Sequence, residues 1–185
     1  MKALNVPRKD FVLSTKLLTN GNGVNDGILS RKHVIEGTRL CLKRLQVDYV
    51  DVLFAHRCDH MTPLEETVRA FSWLIDQGLV HHWGTSEWSA VMIQQAISIA
   101  EKYNLHPPMF EQCQYNMIER QAMEFDLVGL FRDCKYGTTV WGPTGGGLLT
   151  GKFNDGKRPE GSRGALAAGS FHGGSWDKYL GDANV

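Results

Sequence analysis

Tyr49-Val-Asp-Val-Leu-Phe-Ala-His-Arg57 decides the fold. Its centre, Val50–Ala55, is an apolar run rich in β-formers, the pattern of a strand covered on both faces. His56 and Arg57 follow at its C-terminal end, where a buried strand has no packing use for them. In a parallel α/β sheet the C-terminal strand ends are where ligands and chemistry sit.

The same pattern recurs on both sides of this stretch. Phe11–Lys16 reads as a short strand after Pro7, and the Gly- and Asn-rich segment Thr19–Ile28 as a loop. Ser30 is placed to cap a helix that carries Val34, Ile35, Leu42 and Leu45 on one side. Thr62-Pro63-Leu64-Glu65 reads as a second helix start, with Thr62 as cap, Pro63 at the first helical position and Glu65 closing a capping box. Val68, Phe71, Leu74 and Ile75 form its buried stripe, and Gly78 its stop. Strand Val80–Trp83 leads through Gly84-Thr85-Ser86-Glu87-Trp88 to Ser89, the cap of a helix ending near Asn104. Strand Met109–Gln112, a helix near Glu124–Tyr136 and strand Thr138–Trp141 complete the alternation. Gly142-Pro143-Thr144-Gly145-Gly146-Gly147 comes next. From Asn154 to Val185 the chain turns Gly- and Ser-rich with little periodicity, and reads as a loop or disordered tail after a domain spanning residues 1–153.

Strand and helix alternate five times, which implies parallel strands with right-handed crossovers. Each strand ends on a polar or unusual residue: Lys16, His56, Ser86, Gln112 and Trp141. Packing alone does not account for that shared register, because in a closed barrel such ends converge on one mouth. The fold class expected from this alternation is α/β with a parallel sheet.

Composition narrows the function classes. The chain has 185 residues and a formal net charge of zero, so charge gives no reason to expect nucleic acid or an anionic membrane as partner. No apolar run approaches the ~20 residues of a membrane helix. The N-terminal residues lack the apolar core of a secretory signal. Cys41, Cys58, Cys113 and Cys134 show neither a Cys-x-x-Cys pair nor a zinc spacing, which implies free thiols in a reducing cytosol and no metal site.

Several motifs together resemble the aldo-keto reductase superfamily, in the branch that holds the potassium-channel β-subunits and related microbial and plant reductases. They are Leu29-Ser-Arg-Lys-His-Val-Ile-Glu-Gly37, Leu45-Gln-Val-Asp-Tyr-Val-Asp51, Glu65-Glu-Thr-Val-Arg-Ala70, Trp83-Gly-Thr-Ser-Glu-Trp-Ser89, Glu111-Gln112 followed by Tyr115-Asn116, and Gly147-Leu-Leu-Thr-Gly-Lys152. The resemblance implies an incomplete (β/α)8 barrel of about five β-α units, and an NADP(H)-dependent oxidoreductase that acts on small carbonyl substrates in the cytoplasm. By it, Lys16 is the lysine that lowers a catalytic tyrosine's pKa, and His56 lies beside the substrate carbonyl. Ser86 and Gln112 hold the nicotinamide carboxamide, with Glu87 next to them in the cofactor site. Trp141 stacks on the nicotinamide ring. Gly142, Pro143, Thr144, Gly145, Lys152 and Arg163 fall where the cofactor's pyrophosphate strap lies. The assemblies it allows are a homo-oligomer or association with a channel.

The residues also depart from the family pattern. Gly142-Pro143-Thr144 stands where the family usually has Ser-Pro-Leu. The family's first two strands, which carry an aspartate and the acid tyrosine, have no counterpart here, nor does its last strand. The resemblance therefore implies a fragment inactive by itself. A channel β-subunit-like protein that binds NADPH as a sensor is the alternative. His56 favours the reductase, because channel subunits of the branch commonly carry Asn there. Glu87 points the same way, because they tend to have Arg at that position.

Overall fold

The structure is a computed structural model that describes residues 5–17, 23 and 28–166. Most of the expected loop over 19–28, and residues 167–185 of the expected tail, lie outside the described residues.

The strands are β1 (Ser14–Leu17), β2 (Val50–Ala55), β3 (Val80–Thr85), β4 (Phe110–Gln114) and β5 (Gly137–Trp141). The helices between them are α1 (Arg31–Leu45), α2 (Leu64–Asp76), α3 (Ala90–Lys102) and α4 (Val128–Asp133). The sheet order is β1-β2-β3-β4-β5, with β1, β2, β3 and β4 pairing in parallel. Each strand therefore lies beside its neighbour in sequence, as right-handed β-α crossovers produce. Among the described residues the sheet does not close.

The chain falls into two compact units. One comprises Met1–Cys113 with Asp126–Thr139, and the other Gln114–Phe125 with Val140–Val185. The first holds the sheet's core. Val50, Leu53, Phe54 and Ala55 of β2 are buried, as are Val68, Phe71 and Leu74 of α2 and Ile93, Ala96 and Ala100 of α3. Phe71 stacks on Trp83 with ring centroids 4.5 Å apart, and the Trp83 indole N–H donates to the His106 carbonyl at 2.9 Å. The buried Trp83 thus keeps its polar atom satisfied.

Local chemistry sets the helix starts. The Ser30 hydroxyl accepts from the His33 amide and the Ser89 hydroxyl from the Met92 amide, each satisfying an orphan donor of a first turn. The expected Thr62 cap does not form. Pro63 takes the N-cap position with no side-chain cap bond, and the Thr62 side chain bonds the Asp59 carboxylate instead. The long helix expected near Glu124–Tyr136 is divided. A π-helical turn over Ala122–Asp126 precedes α4, and burial falls on Leu127 and Leu130 while Phe125 stays exposed. A short helix, α5 (Arg163–Leu166), lies in the segment expected to be loop.

Asp51, inside the deciding stretch, has a structural role. Its carboxylate accepts from the Leu13 amide at 2.7 Å and from the Arg8 guanidinium at 2.6 Å. Burial works against the charge, but these two donors outweigh it and hold the Asp51 pKa below its usual value. The pair ties the start of β1 to β2.

Candidate functional site

Register builds the site. Lys16 is aligned with Phe54 and Phe54 with Gly84; Leu17 is aligned with Ala55, Ala55 with Thr85, and Thr85 with Glu111. The ladder runs one residue further, because the His56 amide donates to the Leu17 carbonyl at 3.2 Å and the Ser86 amide to the Ala55 carbonyl at 3.1 Å. His56, Ser86 and Gln112 therefore form the next row across the C-terminal strand ends. Side chains alternate between faces along a strand, so this row shares the face of Lys16 and Phe54. Leu17, Thr85 and Glu111 point to the opposite face. Four sequence-predicted residues, Lys16, His56, Ser86 and Gln112, are thus brought to one face of the first unit.

Gly84 makes that face possible. A Cβ there would lie 2.3 Å from the Phe110 ring and 2.4 Å from its carbonyl oxygen. With no side chain at Gly84, Phe54 and Phe110 meet edge to face at 5.5 Å between centroids. Lys16 lies against this aromatic floor, its ammonium 5.0 Å from the Phe54 ring centroid.

The electrostatics are cationic. Burial lowers the Lys16 pKa, and the Arg57 guanidinium adds to the effect. Burial also lowers the His56 pKa, helped by Arg57 and Lys16 and opposed by Glu87. The imidazole is therefore neutral at neutral pH, with one N–H to give. Arg57 itself donates to the His56 carbonyl at 3.0 Å.

The Ser86 hydroxyl donates to the Gln112 carbonyl at 2.8 Å, and the Gln112 side-chain amide donates to the Thr139 hydroxyl at 3.0 Å. Glu87 follows with φ 59°, the left-handed region that a residue with a Cβ rarely takes. What holds it there is Glu111, a residue to which sequence reasoning gave no role. Glu111 is fully buried, and its carboxyl accepts from the Glu87 and Trp88 amides through one oxygen and from the Thr85 hydroxyl through the other at 2.5 Å. Burial pushes its pKa up to about 7 against those hydrogen bonds. The available signal was an acidic residue on the buried face of β4, with Thr85 one strand away.

The remaining predicted residues belong to the second unit. Trp141 is 40% exposed at the end of β5. Gly142, Gly145, Gly146 and Gly147 all have positive φ, which winds the backbone in a sense open to glycine. Asn116 braces this turn, donating from its side-chain amide to the Gly142 carbonyl at 2.9 Å. Its carbonyl oxygen accepts from the Ile118 and Glu119 amides. The Lys152 side chain lies across Gly147, where a Cβ would meet its Cε at 2.8 Å. Pro143 and Thr144 are exposed. Arg163 opens α5.

Comparison with known proteins shows the family of the chain. The model of the "Aldo/keto reductase family" matches residues 1–171. A probable voltage-gated potassium channel subunit beta of Oryza sativa subsp. japonica is 49% identical over 166 residues, 90% of this chain and 51% of that protein. One of Arabidopsis thaliana is 50% identical over 159 residues, 86% of this chain and 48% of that protein. A putative one of Schizosaccharomyces pombe is 51% identical over 166 residues, 88% of this chain and 48% of that protein. The chain spans about half the length of these curated relatives.

Proposed function

Since this chain belongs to the aldo/keto reductase family, we propose that the protein reduces aldehydes and ketones to alcohols with NADPH. One observation carries this reading: His56, Ser86 and Gln112 stand in one row, on the face that also bears Lys16. The donor set fits a nicotinamide. An amide and a hydroxyl side by side can match the donors and acceptors of a carboxamide and so fix which ring face points at the substrate. In the second unit, a run of left-handed glycines without side chains lets a ligand approach the backbone closely, and Lys152 across it supplies a cation, which suits a pyrophosphate. Trp141 offers an exposed aromatic face. Pro143, Thr144 and Arg163 complete the proposed strap, and Glu87 the carboxamide end. NADPH, when bound, supplies the hydride.

The chain's own residues act on the carbonyl oxygen. Neutral His56 donates one hydrogen bond to it and sets its orientation. The Lys16 ammonium, with its charged form already disfavoured by burial, stabilises the negative charge that grows on that oxygen. Phe54 and Phe110 exclude water beneath the site and strengthen both interactions.

The test is single-turnover reduction of an aromatic aldehyde by the protein expressed from its full coding sequence. His56→Asn is expected to slow the chemical step by about 10²-fold or more while leaving NADPH binding nearly unchanged. An unchanged rate removes His56 from the mechanism.

The names of the relatives favour a second reading, a subunit of a potassium channel; on this reading we propose a cytoplasmic regulator that uses bound NADPH as a sensor. No helix among the described residues is long and apolar enough to cross a membrane. Measurable turnover lost in His56→Asn favours the enzyme. NADPH binding with no turnover on a broad aldehyde panel favours the sensor.

A further inference from the structure

The most heavily bonded buried acid among the described residues lies outside the site's own row. Glu111 is on the opposite face of the sheet from Lys16, His56, Ser86 and Gln112, yet it touches the turn that carries Ser86. Its carboxyl takes the amide hydrogens of Glu87 and Trp88. Those amides follow Ser86 directly, and Glu87 holds a left-handed φ of 59°. No Gly relieves that position, so an outside interaction must hold it. Ser86 is in turn bonded to the Gln112 carbonyl, the main-chain group just beyond Glu111. The Glu111 side chain therefore holds the turn that begins at Ser86, and Ser86 meets the Gln112 main chain.

We propose that Glu111 is the positioning residue of the Ser86–Trp88 turn: its ionised carboxyl fixes the turn, and through it the Ser86 hydroxyl, for binding of the nicotinamide end of the cofactor. The inference rests on the cofactor reading above.

The network around Glu111 accommodates either state of its proton. When Glu111 is ionised, Thr85 donates to it at 2.5 Å, and the Tyr136 hydroxyl donates to the Phe110 carbonyl at 3.1 Å. When Glu111 takes a proton, it can donate to the Thr85 oxygen. Thr85 then rotates to donate to Tyr136, whose oxygen is 3.0 Å away, and Tyr136 still donates to Phe110. In the ionised state each hydroxyl only donates; in the protonated state each both donates and accepts, and no polar atom of this network loses its partner. What changes is the strength of the bonds to the turn. Hydrogen bonds to a charged acceptor are roughly twice as strong as those to a neutral one. Protonation therefore loosens Glu87 and Trp88 without breaking the core. The other titratable groups against Glu111 are Glu87, Tyr136 and Cys113. Burial raises the pKa of Tyr136 and of Cys113, so both stay neutral over the range concerned, and Glu87 favours the protonated form of Glu111.

Hydrogen–deuterium exchange of the peptide spanning Ser86–Trp88 tests this, in the protein expressed from its full coding sequence. Rates are corrected for intrinsic exchange and compared between pH 8 and pH 6, and NADPH affinity is titrated by fluorescence over the same range. The wild type is expected to lose protection of this turn several-fold on acidification, with NADPH affinity falling in parallel. Glu111→Gln is expected to show low, pH-independent protection and to lack that pH-dependent part of the affinity, while α2 stays protected. Wild-type-like protection with the same pH response in Glu111→Gln overturns the proposal. So does a wild-type turn whose protection is unchanged between the two pH values, an arm that decides even if the variant fails to fold. Loosening as expected, with no NADPH binding by either protein, keeps Glu111 as the support of the turn and removes the cofactor reading instead.

Discussion

At the residue scale the proposed chemistry rests on groups moved away from their solution behaviour by burial and by one another. His56 is kept neutral by desolvation and by the cations Arg57 and Lys16. Gln112 is the residue whose role is most directly measurable. If it and Ser86 hold the carboxamide, Gln112→Ala weakens NADPH binding by ~1–3 kcal/mol, because a buried polar partner is left unpaired. Fluorescence titration decides it, and equal affinity for both proteins would mean that the row His56–Ser86–Gln112 does not face the cofactor. Glu111 makes a second prediction, about stability. Its folded pKa, about 7, lies above the ordinary carboxylate value. The unfolded chain therefore releases this proton first as pH rises. The stability associated with the protonated group is complete at the acid end and is lost as pH rises to about 7, by about 3 kcal/mol. Urea unfolding from pH 4.5 to 8 should show this loss in the wild type and not in Glu111→Gln. Identical pH slopes would mean that Glu111 titrates normally. The sequence showed Lys16, His56, Ser86 and Gln112 because each breaks an apolar pattern at a strand end. It assigned no role to Glu111, because a buried acid is explained only by partners that are distant in sequence, here Thr85, Glu87 and Trp88.

At the element scale, strands and helices were legible wherever the signal was local. Val50–Ala55 has the bounds its apolar run predicts, and Ser30 and Ser89 cap the helices they precede. The Thr62 cap was not legible, because the competing acceptor, the Asp59 carboxylate, depends on how the loop after β2 folds back; Asp59 also takes the Leu29 amide at 2.6 Å. The division of the helix near Glu124 has a similar cause. A π-helical turn carries more residues than an α-turn, and a plain 3.6-residue period gives no sign of it, although the stripe that period implies is largely right: Leu127 and Leu130 are inward, with Phe131 half-buried. Gly84 carries the sharpest prediction at this scale. Its added Cβ would meet both the ring and the backbone oxygen of Phe110, and backbone cannot swing aside. Gly84→Ala should therefore cost at least about 2 kcal/mol, as overpacking at a close strand contact does, and should reduce NADPH binding by moving the Ser86 turn. Chemical denaturation checks the first part. A neutral substitution would show that β3 and β4 can separate without penalty.

At the scale of the whole molecule, the question is what the 185-residue chain does by itself. Its sheet has five strands and does not close among the described residues, whereas closure demands strands whose tilt and stagger agree around a full barrel. All of β5 is exposed, including Val140 and Trp141, and Met109, Met117, Ile118 and Leu149 add further exposed apolar surface. Surface of this kind drives association, and a sheet edge with unpaired N–H and C=O groups templates it. The acid is a separate problem. The Tyr136 hydroxyl is buried and already donates to the Phe110 carbonyl, on the face opposite Lys16. Tyr115 donates to the Glu124 carboxylate. Tyr49 precedes β2, at the end away from His56, with its ring 4.6 Å from that of His81. None of these is set to hand a proton to a substrate oxygen beside Lys16, and general acid catalysis is worth typically 10²–10⁴-fold. The 185-residue chain purified alone is therefore expected to self-associate and to oxidise NADPH with no detectable dependence on added aldehyde. Sedimentation velocity and absorbance at the NADPH band, across an aldehyde panel, measure both. A monomer that unfolds cooperatively and turns over at about 1 s⁻¹, the low end for typical enzymes, would mean that the five strands already hold a complete catalytic set. The proton donor would then have to be sought among the groups around His56.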